Sequence, residues 1–177
     1  HDLHPLLLIH AGLESEFPEL HDGPFDSVLV GDAENAFTYS RLNEAFRLLL
    51  EGAPLLAMGN NRFFKEADGF SLDVGAFVRA LEFAAGIEAT VLGKPAWEFF
   101  RAVLDSLDRN PGDAVMVGDD AVADVGGAMD AGLQGVLVQT GKYRQGDELQ
   151  IGHDKAKVVP DLPAAVEWIL QNSSTSR

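Results

Sequence analysis

A chain of 177 residues with 46% hydrophobic content is sized for one medium domain or two small ones and has ample apolar material for a packed core. Its 28 acidic and 13 basic residues give a net charge of −15, which argues against broad contact with nucleic acid or an anionic membrane, since both need a basic face. With no cysteine there are no disulfides, thiolate metal sites or Cys-based catalysis; no apolar run approaches the ~20 residues that cross a bilayer, and the expected setting is the cytoplasm.

The chain opens on His1 and enters an apolar strand at residues 6–9 almost at once, so it is expected to be a segment of a longer protein. Ala11 and Gly12 end that strand, and residues 13–20 are expected to form one or two helical turns before the His21-Asp22-Gly23-Pro24 turn cluster. Residues 28–30 make a second strand, closed by Gly31-Asp32. Thr38 or Ser40 caps a helix running to about Glu51, with Leu42, Ala45, Phe46, Leu49 and Leu50 at core spacing. A third strand at residues 55–58 leads to the polar tip Gly59-Asn60-Asn61-Arg62, suited to binding or merely to turning. Phe63-Phe64 and Phe70-Ser71-Leu72 read as a hairpin around Asp68-Gly69. Asp73 caps the next helix, whose stripe is Phe77, Leu81, Ala84 and Ala85, and Gly86 ends it.

A strand at residues 90–92 then runs into Gly93-Lys94-Pro95. Pro95 suits the first position of a helix whose buried face is Phe99, Phe100, Val103, Leu104 and Leu107. Beyond the Asn110-Pro111-Gly112 turn, Val115-Met116-Val117 reads as a short buried strand that stops on Gly118-Asp119-Asp120. A helix follows with Val122, Val125, Ala128 and Met129 inward, then a strand at residues 136–138, so residues 114–138 form a parallel βαβ unit. A strand at 157–159 and a helix at 163–170 finish the fold, and 172–177 read as a disordered tail. The strand–helix alternation predicts an α/β fold. With no Pro- or Ser-rich linker, the boundary between two lobes is a hinge within residues 89–93, dividing 1–89 from 90–177.

The chemistry concentrates at the end of the 115–117 strand. Open parallel α/β sheets place ligands at the carboxyl ends of their strands, and Asp119, Asp120 and Asp124 fall there. Oxygen donors of that kind suit Mg²⁺, which takes one or two protein carboxylates and leaves other positions to water or phosphate. The competing reading is that Asp119 or Asp120 caps the helix that follows. Lys94, ahead of a helix, adds a cation where backbone N–H groups already favour an anion. Alone it reads as a solvated lysine; with the carboxylates it predicts a phosphoryl group held between Lys94 and a Mg²⁺ on Asp119. Lys142 and Arg144 also follow a strand end, and surface solvation is the plainer expectation for both.

Gly93-Lys94-Pro95, followed by a helix and then Val117-Gly118-Asp119-Asp120-Ala121-Val122-Ala123-Asp124, resembles motifs III and IV of the haloacid dehalogenase superfamily of phosphohydrolases. The likeness is to the branch with a large α/β cap. Pro5-Leu-Leu-Leu-Ile-His10, Arg62-Phe-Phe-Lys65, Leu72-Asp-Val-Gly75 and Thr140-Gly-Lys-Tyr-Arg144 support it, so it covers nearly the whole chain. The resemblance implies a Rossmann-like core, represented by its second half from about residue 90, and an α/β cap before it. It implies that Lys94 orients the nucleophile and neutralises substrate charge, that Asp119 ligates Mg²⁺ with Asp124 as second carboxylate and Asp120 nearby, and that Asn60, Asn61 and Arg62 select a small phosphorylated substrate.

The family reaction starts from an Asp-x-Asp pair, one carboxylate attacking phosphorus and the other moving protons, and no Asp-x-Asp occurs in this sequence. The expectation is therefore a Mg²⁺-dependent phosphatase lacking its nucleophile segment and inactive by itself. The uncovered sheet edge would need a further segment, a partner chain or a homodimer. Two alternatives compete: a non-catalytic binding or dimerisation module of the same fold, and a phosphoacceptor receiver-like domain. A dinucleotide site is weaker, since no Gly-x-Gly-x-x-Gly follows a strand.

Overall fold

A computed structural model describes residues 3–17, 24–153 and 156–173, so residues 18–20 of the 13–20 expectation, most of the 21–24 turn and the end of the tail lie outside the described residues, while Ala11–Glu16 form a short 3-10 helix. The chain divides into two compact units, residues 1–93 and 94–177.

The first unit is built on a parallel sheet of β1 (Pro5–Leu8), β2 (Ser27–Val30), β3 (Leu55–Ala57) and β6 (Thr90–Val91), in that spatial order. Successive side chains on a strand point to opposite faces, and both faces are covered, so the strands are apolar without a polar alternate. Leu6, Leu8, Val28, Val30, Leu55 and Ala57 pack with Ala45, Leu49, Val74, Val78 and Leu81, which belong to the helices α1 (Tyr39–Leu50) and α2 (Val74–Ala85). Leu7, Ile9 and Leu29 form a second cluster with Phe17 and Leu56. Thr38 is the cap of α1, its Oγ1 accepting from the Arg41 N–H at 3.3 Å, while Leu50 at the far end is exposed rather than in the core. The hairpin is present as β4 (Phe63–Lys65) and β5 (Phe70–Leu72), closed by the Glu66 N–H donating to the Gly69 carbonyl. Residues 90 and 91, read from sequence as the head of the second half, pair with Leu56 and Ala57, so β6 completes the first sheet.

The second unit holds a parallel sheet in the order β7 (Val115–Gly118), β8 (Gln134–Val138), β9 (Lys157–Val159), with α3 (Trp97–Leu107), α4 (Gly127–Asp130) and α5 (Leu162–Ser173). Val136 and Val138 face Val159 and Ala165 on one side, and Leu137 faces Ala121, Val125 and Ile151 on the other. β8 is buried over residues 135–138, whereas every residue of β7 is only half-buried. Among the described residues no strand lies on the second side of β7, and that open edge is why an all-apolar Val-Met-Val run keeps solvent contact.

Four local expectations are corrected. The helix after Pro95 begins at Trp97 with Ala96 before it, so Pro95 sits in the preceding turn, joined to Lys94 by a cis bond. Val103 and Leu107 of that helix are exposed, and only Phe100 and Leu104 are buried. Val122 is exposed because residues Ala121–Gly126 form a π-helical turn, in which the Val125 N–H reaches back to the Asp120 carbonyl; the wider turn breaks the 3.6-residue stripe. The closing helix runs through Asn172 to Ser173, beyond the expected end at Leu170.

Candidate active site

The site lies wholly in the second unit, where β7 stops. Gly118 is its last residue, and a Cβ there would run into the Asp124 carboxylate, so only glycine lets that side chain fold back over the strand end. Asp120 then opens the π-helical turn, its Oδ1 accepting from the Val122 N–H at 2.9 Å and the Ala123 N–H at 2.8 Å. The cap reading of the sequence therefore holds for Asp120. One turn on, Asp124 is buried, with a side chain 9% exposed. The Lys94 Nζ donates to its Oδ1 at 2.6 Å across 30 positions of sequence, and the Asp120 N–H approaches its Oδ2 at 3.4 Å. The turn that carries Lys94 is seated by Pro95, whose backbone packs where a Cβ on Gly127 would be, 2.9 Å away.

A second lysine, expected to be a solvated surface residue, belongs to the same cluster. Lys142 has a side chain only 16% exposed, and its Nζ pairs with Asp120 Oδ2 at 2.6 Å. Its backbone N–H donates to Asp119 Oδ2 at 2.8 Å. The preceding Gly141 adopts φ +57°, and a Cβ on it would overlap the Asp119 carboxylate, so the loop backbone lies directly against that aspartate. The sequence signal for this placement was Gly141 itself, three residues past the expected strand end at Val138.

The electrostatics follow from these partners. Burial pushes the Asp120 carboxyl up, but the Lys142 ammonium and the Ala123 and Val122 N–H groups outweigh it and hold the group below its ordinary value. Three carboxylates and two ammoniums leave one formal negative charge, and among the described residues the ammoniums pair with Asp124 and Asp120, not with Asp119. Its Oδ1 takes no hydrogen bond among the described residues. Mg²⁺ needs one or two protein carboxylates and keeps several waters, so the donor set fits it with Asp119 as the ligand. No group of three or more His, Asp or Glu is arranged around a common metal position among the described residues, in keeping with Asp120 and Asp124 being turned toward lysines.

The structure thus brings Lys94, Asp119, Asp120 and Asp124 together. Asn60, Asn61 and Arg62 belong to the first unit, after β3; the Asn61 carbonyl accepts from the Gly75 N–H at 2.9 Å, so this tip is packed onto the start of α2. With Phe63, Leu72, Gly75, Ala76 and Arg79, Asn60 and Arg62 line an open cavity of about 580 Å³. No helix among the described residues is long and apolar enough to cross a membrane.

Residues 91–165 match the HAD-hydrolase-like family model. Over 172 residues the chain is 46% identical to a phospholysine phosphohistidine inorganic pyrophosphate phosphatase of Danio rerio, covering 96% of this chain and 64% of that protein. It is 44% identical over 168 residues to the human haloacid dehalogenase-like hydrolase domain-containing protein 2, covering 95% of this chain and 65% of the relative. The chain therefore spans somewhat less than two thirds of these relatives. In fold it is similar to a 4-nitrophenylphosphatase from Thermotoga maritima, with a TM-score of 0.82 at 24% identity over 93% of this chain and 65% of the other.

Proposed function

We propose, with the chain taken as a member of the haloacid dehalogenase superfamily of hydrolases, that it supplies the magnesium- and phosphate-binding part of a phosphatase. The observation that carries this reading is the Lys94 ammonium 2.6 Å from Asp124 at the carboxyl end of β7, beside Asp119. Lys94, a third exposed, reaches solvent with its charge and is held in place by a buried partner. It neutralises the phosphoryl oxygens and orients the attacking carboxylate. Asp124 fixes Lys94, and Asp119, held through one oxygen by the Lys142 N–H, offers the other to Mg²⁺. When bound, the ion supplies positive charge to the phosphoryl group during transfer.

The attacking carboxylate and its acid–base partner form the Asp-x-Asp pair of the family, which these 177 residues do not contain. Turnover therefore requires a segment bearing that pair, and the chain alone is inactive. The names of the similar proteins favour phosphoamides and inorganic pyrophosphate as substrates, beside phosphomonoesters. Asn60, Asn61 and Arg62 act in substrate choice, since they form a polar tip beyond a strand's carboxyl end. The absence of cysteine accords with work in the reducing cytoplasm, and a homodimer is the alternative way to cover the open edge of β7.

The test is to supply the Asp-x-Asp segment and measure phosphate release with Mg²⁺ from phospholysine, pyrophosphate and a phosphomonoester. Release that disappears on chelation and in the Lys94→Met variant supports the reading. No release from any of the three favours a binding module of the same fold.

A further inference from the structure

The two lysines of the site are placed for different tasks. Lys94 engages one acid, while Lys142 engages two, through different atoms: its N–H fixes Asp119 and its ammonium occupies Asp120. Both oxygens of Asp120 are thereby committed, one to the N–H groups of Val122 and Ala123 and the other to Lys142. The loop presenting Lys142 is braced. The Tyr143 hydroxyl donates to Glu148 at 2.8 Å, the Gly146 N–H donates to the same carboxylate at 3.1 Å, and the Arg144 N–H donates to Asp147 at 2.8 Å.

Asp119 and Asp120 are adjacent and both lie at the strand end, so without Lys142 nothing in the local charge balance would keep a divalent cation from drawing on both. We propose that Lys142 is a positioning residue that sets the metal preference of this site: by occupying Asp120 it confines a bound divalent cation to the single carboxylate of Asp119. One carboxylate suits Mg²⁺, which holds its waters. Ca²⁺ gathers roughly six to eight oxygens and gains more from a second carboxylate. The inference rests on the metal reading of Asp119 given above.

Calorimetric titration of the whole chain with MgCl₂ and with CaCl₂ tests it, using the unsubstituted protein, Lys142→Met, Lys142→Arg and Asp119→Asn. Lys142→Met raises Ca²⁺ affinity about tenfold relative to Mg²⁺, the lower end of what a partner of a metal ligand commands, and Lys142→Arg restores the original ratio. Equal gains for both ions, as loss of a nearby positive charge alone would give, or no change, overturn the proposal. A second measurement needs no substitution. Saturating Mg²⁺ shifts the Asp119 carboxyl carbon resonance and leaves that of Asp120 in place; a matching shift at Asp120 overturns the proposal even if Lys142→Met does not fold. Absence of Mg²⁺ binding to the unsubstituted chain, or full binding by Asp119→Asn, sinks the metal reading itself.

Discussion

Lys94 and Asp124 are far apart in sequence and in contact in space, and the pair is asymmetric, with the ammonium a third exposed and the carboxylate nearly buried. Replacing Lys94 with Met strands that carboxylate, which costs about 3 kcal/mol, the low end for a broken buried pair because the lysine keeps some water. Urea unfolding at neutral pH reads the loss directly; an unchanged midpoint would mean that Asp124 finds another partner. Asp120 gives a pH test. Its folded-state value lies below its unfolded one, so the stability it contributes is complete above about pH 4, the ordinary carboxylate range, and fades as the pH falls through the lower folded value. Asp120→Asn keeps a good cap and loses the ion pair. The variant should therefore be destabilised at neutral pH and show a shallower acid limb than the parent in unfolding curves taken from pH 7 downward. Lys94 and Asp119 could be read from the sequence because each carries a local signature, a Gly-Lys-Pro turn and an acid at a strand end. Lys142 itself carries no such signature, since a lysine in a polar loop looks the same whether its ammonium meets water or Asp120, and only the neighbouring Gly141 marked the loop.

At the scale of elements, the loop after β8 holds the site as firmly as the strand before it. Gly141 combines a positive φ with contact on Asp119, so Gly141→Ala suffers both backbone strain and a clash. The expected cost is about 2 kcal/mol in thermal or chemical unfolding, and under the metal role proposed for Asp119 the variant also binds Mg²⁺ more weakly, because Asp119 must move. Gly52, also at positive φ but with open space around it, provides the control: Gly52→Ala pays the backbone term and leaves metal binding unchanged. Strands and helices were legible where apolar spacing is regular, as in α1 and the β4–β5 hairpin. The π-helical turn was not. Its residues, Ala-Val-Ala-Asp-Val-Gly, have ordinary helical composition, and the extra residue in the turn is imposed by Asp120 capping it while Asp124 folds back over Gly118.

At the scale of the molecule, each unit has its own parallel sheet with apolar clusters of its own, and the α/β class followed directly from the alternation of strands with amphipathic helices. The exposure of Val103 and Leu107 escaped the sequence because periodicity marks which helix face is apolar, not whether anything covers it. β7 poses the same question. The Gln134 N–H donates to the Ala114 carbonyl, and the two-residue period of a parallel ladder then points the amides of Met116 and Gly118 toward β8 and those of Val115 and Val117 away. Hydrogen exchange should find Met116 and Gly118 protected and Val115 and Val117 fast; four equally slow amides would mean that the outer side is already occupied. The strand that ends at Gly118, just before Asp119, is thus fastened along one margin only among the described residues, and the aim of that carboxylate inherits the slack. Any segment that zips onto Val115 and Val117 would stiffen the aspartate with the same amide bonds that complete the sheet, so closing the fold and aiming the carboxylate would become a single event.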